Sequence, residues 1–133
     1  MRSSFPDKLL EVFIFFFILF GLSKLAHCEN GTASWYSTEA CQFNPNPKCP
    51  TASGGSLYEL ERNGERFAAM WGVPFGTNLR VTNLANGKST RVTVQDRGPN
   101  RRLNRTIDLS KKAFSDIAEI DQGLIPVSVE VLS

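Results

Sequence analysis

"TNLRVTNLANGKSTRVTVQDRGP", Thr77 to Pro99, is the stretch whose reading decides the fold. Two runs alternate apolar and polar residues, as half-buried strands do, and Ala85-Asn86-Gly87-Lys88 separates them. Asn-Gly between such runs is a strong hairpin signal, because both central residues of the tight turn must accept positive φ. In the second run Val92 and Val94 point to one side, and Arg91, Thr93 and Gln95 to the other. That run stops on an acid beside a base and a Gly-Pro turn, and a second acid, Asp108, follows in "TIDLS".

Outward from the hairpin, "TASWY" (Thr32 to Tyr36) alternates and carries aromatics, as an initial strand would. "STEACQFNPNPKCPTASGGS" is dense in Pro, Gly, Asn and Ser and reads as a long ordered loop. "ERFAAMWGVPFGT" holds a further strand that turns at Pro74 and Gly76. "LSKKAFSDIAEI" is a helix capped by Ser110, with Ala113, Phe114, Ile117 and Ile120 as its apolar stripe and Gly123 as its end. "IPVSVEVL" closes the domain as a strand with Val127, Val129 and Val131 on one face. Many short strands with one clear helix favour a mainly β protein built as a small closed barrel.

Residues 1–28 read as an export segment. Arg2 and Lys8 precede the apolar run "VFIFFFILFGL", Val12 to Leu22, which falls short of the ~20 apolar residues that span a bilayer. Ala26 and Cys28 are small residues at the two positions a signal peptidase inspects, which makes Glu29 the mature N-terminus. "LAHC" also resembles the bacterial lipobox, with Cys28 lipidated and the domain tied to a membrane, although His27 stands where that motif has a small residue. Both readings predict an exported protein of the periplasm or cell envelope. They leave open whether it is soluble or lipid-anchored.

The remainder, residues 29–133, is long enough for one small core. Cleavage takes Arg2, Lys8 and Lys24 from the 15 basic residues and Asp7 and Glu11 from the 13 acidic ones, a net charge of +1. Nothing in that balance calls for a nucleic acid. Cys41 and Cys49 are the pair left free to bridge, and exported domains keep disulfides, so a bond across "QFNPNPK" is expected, with two free thiols as the alternative. The one histidine, His27, lies in the export segment, which excludes Ser-His and Cys-His chemistry and imidazole-ligated zinc from the mature domain. No cofactor or metal is expected.

Carboxylates are then the groups left for proton transfer. Asp96 and Asp108 follow or lie within apolar strand segments, and Arg97, Arg101, Arg102 and Arg105 crowd the connection between them. Two blander readings stand beside this one: Asp96 in a turn, bonding backbone amides, and Asp108 as the cap of the following helix. Trp35, Tyr36, Tyr58 and Trp71 are aromatics that either line a sugar-binding groove or fill the core.

"GTASWY", "TASG", "VPFGTNLRVTNLANGKSTRVTVQDRGP", "RTIDLS" and "VSVEVL", in this order, resemble the rare lipoprotein A (RlpA) family of lytic transglycosylases. The resemblance covers Gly31 to Leu132. It implies a six-stranded double-psi β-barrel with one or two short helices, acting on peptidoglycan glycan strands. It also implies cleavage between MurNAc and GlcNAc by a single acid, which protonates the glycosidic oxygen and then takes the proton from the muramic acid C6 hydroxyl. Asp96 matches the family aspartate of "DRGP" and Asp108 that of "IDLS". Tyr58 and Glu59 match the end of the family's "GExYD". The first Glu of that motif is replaced by Gly55 or Ser56, depending on whether one counts from the Gly or the Tyr, and the common "AAHK" reads "AAMW", with Met70 for the histidine. The resemblance thus implies Asp96, Asp108 and Glu59 as catalytic carboxylates; Trp35, Tyr36 and Tyr58, by residue type, and Arg97, by its place beside Asp96, are expected to line the substrate groove. A non-cleaving glycan-binding or wall-loosening barrel of the expansin type is the alternative.

Overall fold

The computed structural model describes residues 28–133. The expected signal segment therefore lies outside the described residues, except for Cys28. Six strands form a closed barrel: β1 (Cys28–Tyr36), β2 (Phe67–Ala69), β3 (Asn78–Asn83), β4 (Ser89–Asp96), β5 (Ile107–Ser110) and β6 (Ile125–Val131). Around the barrel the order is β1-β5-β2-β4-β3-β6. β1 with β5 and β2 with β4 run parallel, while β3 pairs antiparallel with both β4 and β6. Among the described residues closure leaves no edge strand to aggregate. Among the described residues no helix is long and apolar enough to cross a membrane.

The expected hairpin is β3 and β4, paired from Asn78↔Thr93 to Thr82↔Ser89, with Gly87 at φ 77 in the turn. Its alternation fills the barrel: Leu79, Val81, Val92 and Val94 are buried with Ile107, Leu109, Val127 and Val129. Val131 packs only partly against this core, so the inward face of β6 tapers at its end. Gly31 on β1 is needed for space, because a Cβ there would stand 2.6 Å from Thr106 Cβ.

Two α-helices accompany the barrel, α1 (Leu57–Arg62) and α2 (Lys111–Ile117). Ser110 caps α2 as expected, its hydroxyl accepting from the Ala113 N–H. The helix stops at Ile117, however, rather than at Gly123. Asn83 Nδ2 (2.8 Å) and Asn86 Nδ2 (3.0 Å) both donate to the Ile117 carbonyl, Ala118 turns extended, and Gly123 instead ends a 3-10 turn over Ile120–Gln122. Side chains from the hairpin thus end the helix, which a local pattern cannot reveal. Asp108 lies inside β5 and is not a cap.

A second apolar cluster sits outside the barrel. Cys41 and Cys49 form the expected disulfide, and they pack with Leu57 of α1 against Phe67 and Tyr36. A 3-10 turn (Thr38–Phe43) opens this cap, and Glu61 of α1 holds its start by accepting from the Thr38 N–H (2.8 Å) and hydroxyl (3.0 Å). α1 has only 6 residues, too few to be stable alone, so packing of Leu57 rather than propensity holds it.

Candidate functional site

Both aspartates lie in one row across the barrel wall. Asp96 pairs with Ala69, Ala69 with Asp108, and Asp108 with Ser34, on four neighbouring strands. Neighbouring strands lie about 4.8 Å apart, so the two acids, one strand removed from each other, have Cα atoms about 10 Å apart. Strict alternation would turn Asp96 inward with Val92 and Val94. Instead the β2–β4 register shifts between Ala68 and Ala69, so that Gln95 is the extra residue and Asp96 emerges beside Ala69. Such bulges re-aim a side chain at the end of a strand. Ala69 between the acids contributes only a methyl, and the turn after Asp96 folds over it: a Cβ on Gly98 would stand 3.5 Å from Ala69 Cβ and 3.9 Å from Asp108 Oδ2.

The carboxylates have different surroundings. Asp96 Oδ1 accepts from the backbone N–H of Ala52 and of Arg97, both at 2.9 Å, and Oδ2 accepts from the Tyr36 hydroxyl at 3.2 Å. Three donors thus hold Asp96, much as its reading as a backbone-bonding turn residue anticipates. Asp108 Oδ1 accepts from the Ser34 hydroxyl, and Arg105 Nε stands 3.5 Å from the same oxygen without hydrogen-bond geometry. Among the described residues Asp108 Oδ2 has no hydrogen-bond donor. Tyr36 couples the pair. Its ring meets Phe67 edge-on at 5.7 Å, and burial, then the charge and hydrogen bond of Asp96, then the charge of Asp108, push its hydroxyl well above the usual tyrosine pKa.

The other expected site residues divide. Arg97 reaches the row, its Nη1 donating to Met70 O at 3.0 Å and its guanidinium lying 3.9 Å over the Phe75 ring. Trp35 is on the opposite face of β1, packed on the barrel core with its Nε1 donating to Ile120 O at 3.0 Å, so it does not join the row. Tyr58 and Glu59 face solvent on α1, and among the described residues the Glu59 carboxylate makes no hydrogen bond or ion pair. The loop holding Gly55 and Ser56 closes over Asp96 instead: Ser53 Oγ donates to Gln95 Oε1 at 3.2 Å, one residue from the Ala52 amide that binds Asp96. Ser34 escaped notice in the sequence because a lone serine in a strand carries no signal of its own. Alternation with Tyr36 could have placed it on the same face.

The family model described as lytic transglycolase matches residues 28–129, the length of the barrel up to β6. The chain belongs to the lytic transglycolase family. Among relatives of this family, a Nostoc protein named probable endolytic peptidoglycan transglycosylase RlpA is 48% identical over 75 residues, 52% of this chain and 20% of that protein. The endolytic peptidoglycan transglycosylase RlpA of Campylobacter jejuni is 40% identical over 103 residues, 77% of this chain and 34% of that protein. The chain thus spans about a third or less of these relatives' lengths. The lytic transglycolase barrel is also similar in fold to the Clavibacter michiganensis expansin, at a TM-score of 0.58 and 23% identity, covering 80% of this chain and 50% of that one. The double-psi β-barrel expected from the resemblance is the observed architecture.

Proposed function

We propose that this chain is an exported peptidoglycan lytic transglycosylase that cleaves glycan strands between MurNAc and GlcNAc and leaves 1,6-anhydroMurNAc ends, with Asp108 as the acid and then the base. The observation that carries the assignment is the contrast between the carboxylates. Asp96 accepts on both carboxylate oxygens, from the Ala52 and Arg97 amides and the Tyr36 hydroxyl, whereas Asp108 keeps Oδ2 without a donor among the described residues. A proton must leave and return at one oxygen, so an oxygen free of other donors suits the task.

In the reaction, protonated Asp108 gives its proton to the glycosidic oxygen as the bond from MurNAc C1 breaks. The resulting carboxylate then takes the proton of the C6 hydroxyl as O6 closes on C1. Asp108 ends protonated as it began, and no water is consumed. This differs from hydrolysis by two carboxylates, in which a water or an enzyme nucleophile completes the step. Ser34 and Arg105 orient Asp108 through Oδ1. Asp96 holds the loop carrying Ala52 and the turn carrying Arg97, and so shapes the groove without exchanging protons. Glu59, exposed on α1, is a rim residue in this reading.

Relatives named RlpA and the apolar segment before Cys28 support export to the cell envelope. Cys28 is exposed at the start of β1, and labelling with a clickable fatty acid in a bacterial host separates a lipid-anchored from a soluble form. The cleavage reading is tested by digesting peptide-free glycan strands and weighing the products. Fragments ending in 1,6-anhydroMurNAc support it. Intact strands that co-sediment with the protein favour the expansin-like alternative, to which the replacement of the family glutamate by Gly55 or Ser56 gives a specific basis.

A further inference from the structure

The acid row is held from outside the barrel by a cap that one covalent bond closes. The Cys41–Cys49 disulfide, Leu57 and Phe67 form an apolar cluster separate from the barrel core, and Tyr36 and Leu60 pack against it. From Cys49 the chain makes a loop whose two ends meet again beside the bond. The Leu57 N–H donates to Cys49 O at 3.0 Å, Ser56 Oγ donates to Lys48 O at 2.9 Å, and Pro50 bridges Ser56. The tip of that loop reaches the site: the Ala52 N–H donates to Asp96 Oδ1 at 2.9 Å, and the Ser53 N–H to Gln95 O at 3.2 Å. Tyr36, packed on the same cluster, donates to Asp96 Oδ2 at 3.2 Å. Two of the three donors to Asp96 therefore stand on or against the disulfide-braced cap, and the third, the Arg97 N–H, directly follows Asp96 in the chain.

The barrel does not depend on this bond in the same way. Its core contains neither cysteine, and its six strands close through backbone pairing. The cap has less to hold it: residues 42–48 lie mostly at the surface, and α1, with 6 residues, is too short to be stable alone. Opening the bond restores conformational freedom to the chain it restrains, and that chain leads directly into the loop on Asp96. We infer that the Cys41–Cys49 bond is a redox lock on the acid row: with two thiols the barrel closes but the cap is loose and Asp96 loses its anchors, and oxidation completes the site. In the locking step the thiolate of one cysteine attacks the disulfide of a thiol-exchange oxidant, and the other cysteine then attacks the mixed disulfide. Two electrons and two protons pass from the pair to the oxidant, which leaves as a dithiol, and a dithiol reductant reverses the step. Such a device holds cleavage down in a thiol-reducing compartment and releases it where disulfides persist. The inference rests on the proposed function for the activity that the bond controls.

Three forms of the protein test it: oxidised, reduced with dithiothreitol until alkylation and peptide mass show both thiols, and Cys41→Ser/Cys49→Ser. Each is followed by hydrogen exchange and by cleavage of peptide-free glycan strands, and circular dichroism should show the barrel in all three. In the reduced protein and the double variant the Ala52 amide loses at least about tenfold more protection than the amides of β3, because local release of the cap adds to any global loss. The kcat/KM for anhydro-end formation falls at least about tenfold in both. It returns when the reduced protein is reoxidised with oxidised glutathione, whereas the double variant stays low. Asp96→Ala, which removes the acceptor of the loop, makes cleavage nearly indifferent to reductant. Protection at Ala52 and β3 falling together, or cleavage at the oxidised rate with both thiols open, overturns the lock. Loss of the barrel signal on reduction also overturns it, since the bond would then be a requirement of folding. No cleavage by the oxidised protein overturns the proposed function instead, and exchange at Ala52 still decides whether the bond holds the loop on Asp96.

Discussion

Tyr36 joins the outer apolar cap to the acid row, and its environment makes a quantitative claim about alkaline stability. Its hydroxyl donates to Asp96 Oδ2 at 3.2 Å, and burial first, then the Asp96 carboxylate, then Asp108 oppose a phenolate there. The folded pKa therefore lies well above 10.0, the ordinary value taken up on unfolding. A raised pKa contributes stability that is complete below the unfolded value and is lost as pH rises beyond it, because the unfolded chain then releases a proton that the folded one keeps. The loss is about 1.4 kcal/mol per pH unit, or about 2 kcal/mol between pH 10 and about pH 11.5. That is a sizeable part of the ~5–15 kcal/mol that holds a small domain together.

Denaturant melts of wild type and Tyr36→Phe across this range isolate the effect. Near neutral pH the variant is less stable by about 1.5 kcal/mol, the lower end for a hydrogen bond to a charged group, because two backbone amides still hold Asp96. Above about pH 10 the wild-type advantage shrinks by about 2 kcal/mol and the two curves converge or cross. In Tyr58→Phe, where Tyr36 is the remaining tyrosine, near-ultraviolet tyrosinate absorbance rises only as the fold is lost. A constant gap between the curves, or a tyrosinate signal near pH 10 in the folded variant, would show that Tyr36 titrates without this coupling.

Two further outcomes follow from packing. Gly31→Ala forces a Cβ to within 2.6 Å of Thr106 Cβ and should cost about 1–3 kcal/mol by thermal melting, with the Gly31→Ala/Thr106→Gly double variant less destabilised than the sum of the single changes; purely additive effects would remove the steric explanation. The Cys41–Cys49 bond closes a sequence separation of 8, for which loop entropy gives about 2.5 kcal/mol, so Cys41→Ala/Cys49→Ala and the reduced wild type should lose similar stability, and a melt indifferent to reductant would contradict the bond.

The parts of this fold that local chemistry dictates could be read directly. Alternation in Leu79–Val81 and Val92–Val94, Asn86-Gly87 between them, and the Ser110 cap lie within a few residues of what they determine, and the barrel follows once six such strands must close. What escaped depends on partners distant in sequence. α2 ends at Ile117 because Asn83 and Asn86 reach its carbonyl from the hairpin, and α1 exists because Leu57 is held against Cys41, Cys49 and Phe67. The site shows the same division. The resemblance pointed to Asp96 and Asp108, and residue type to Tyr36, but the bulge at Gln95 sets the direction of Asp96 and cross-strand register brings Ser34 to Asp108. Trp35 was drawn toward the groove by its residue type, whereas the parity of β1 sends it to the core face with Ala33.

In the proposed reaction Asp108, and not Asp96, moves the proton. Asp108→Asn and Asp96→Asn, each compared with wild type for folding by circular dichroism and for glycan binding by co-sedimentation, are incubated with peptide-free strands, and 1,6-anhydroMurNAc ends are counted by mass spectrometry. Asp108→Asn should fold, bind and yield essentially no anhydro ends, a loss of at least about a hundredfold for removal of a general acid. Asp96→Asn, able still to accept through its amide oxygen, should retain measurable cleavage with weakened thermal stability. Anhydro ends at the wild-type rate from Asp108→Asn would contradict the claim.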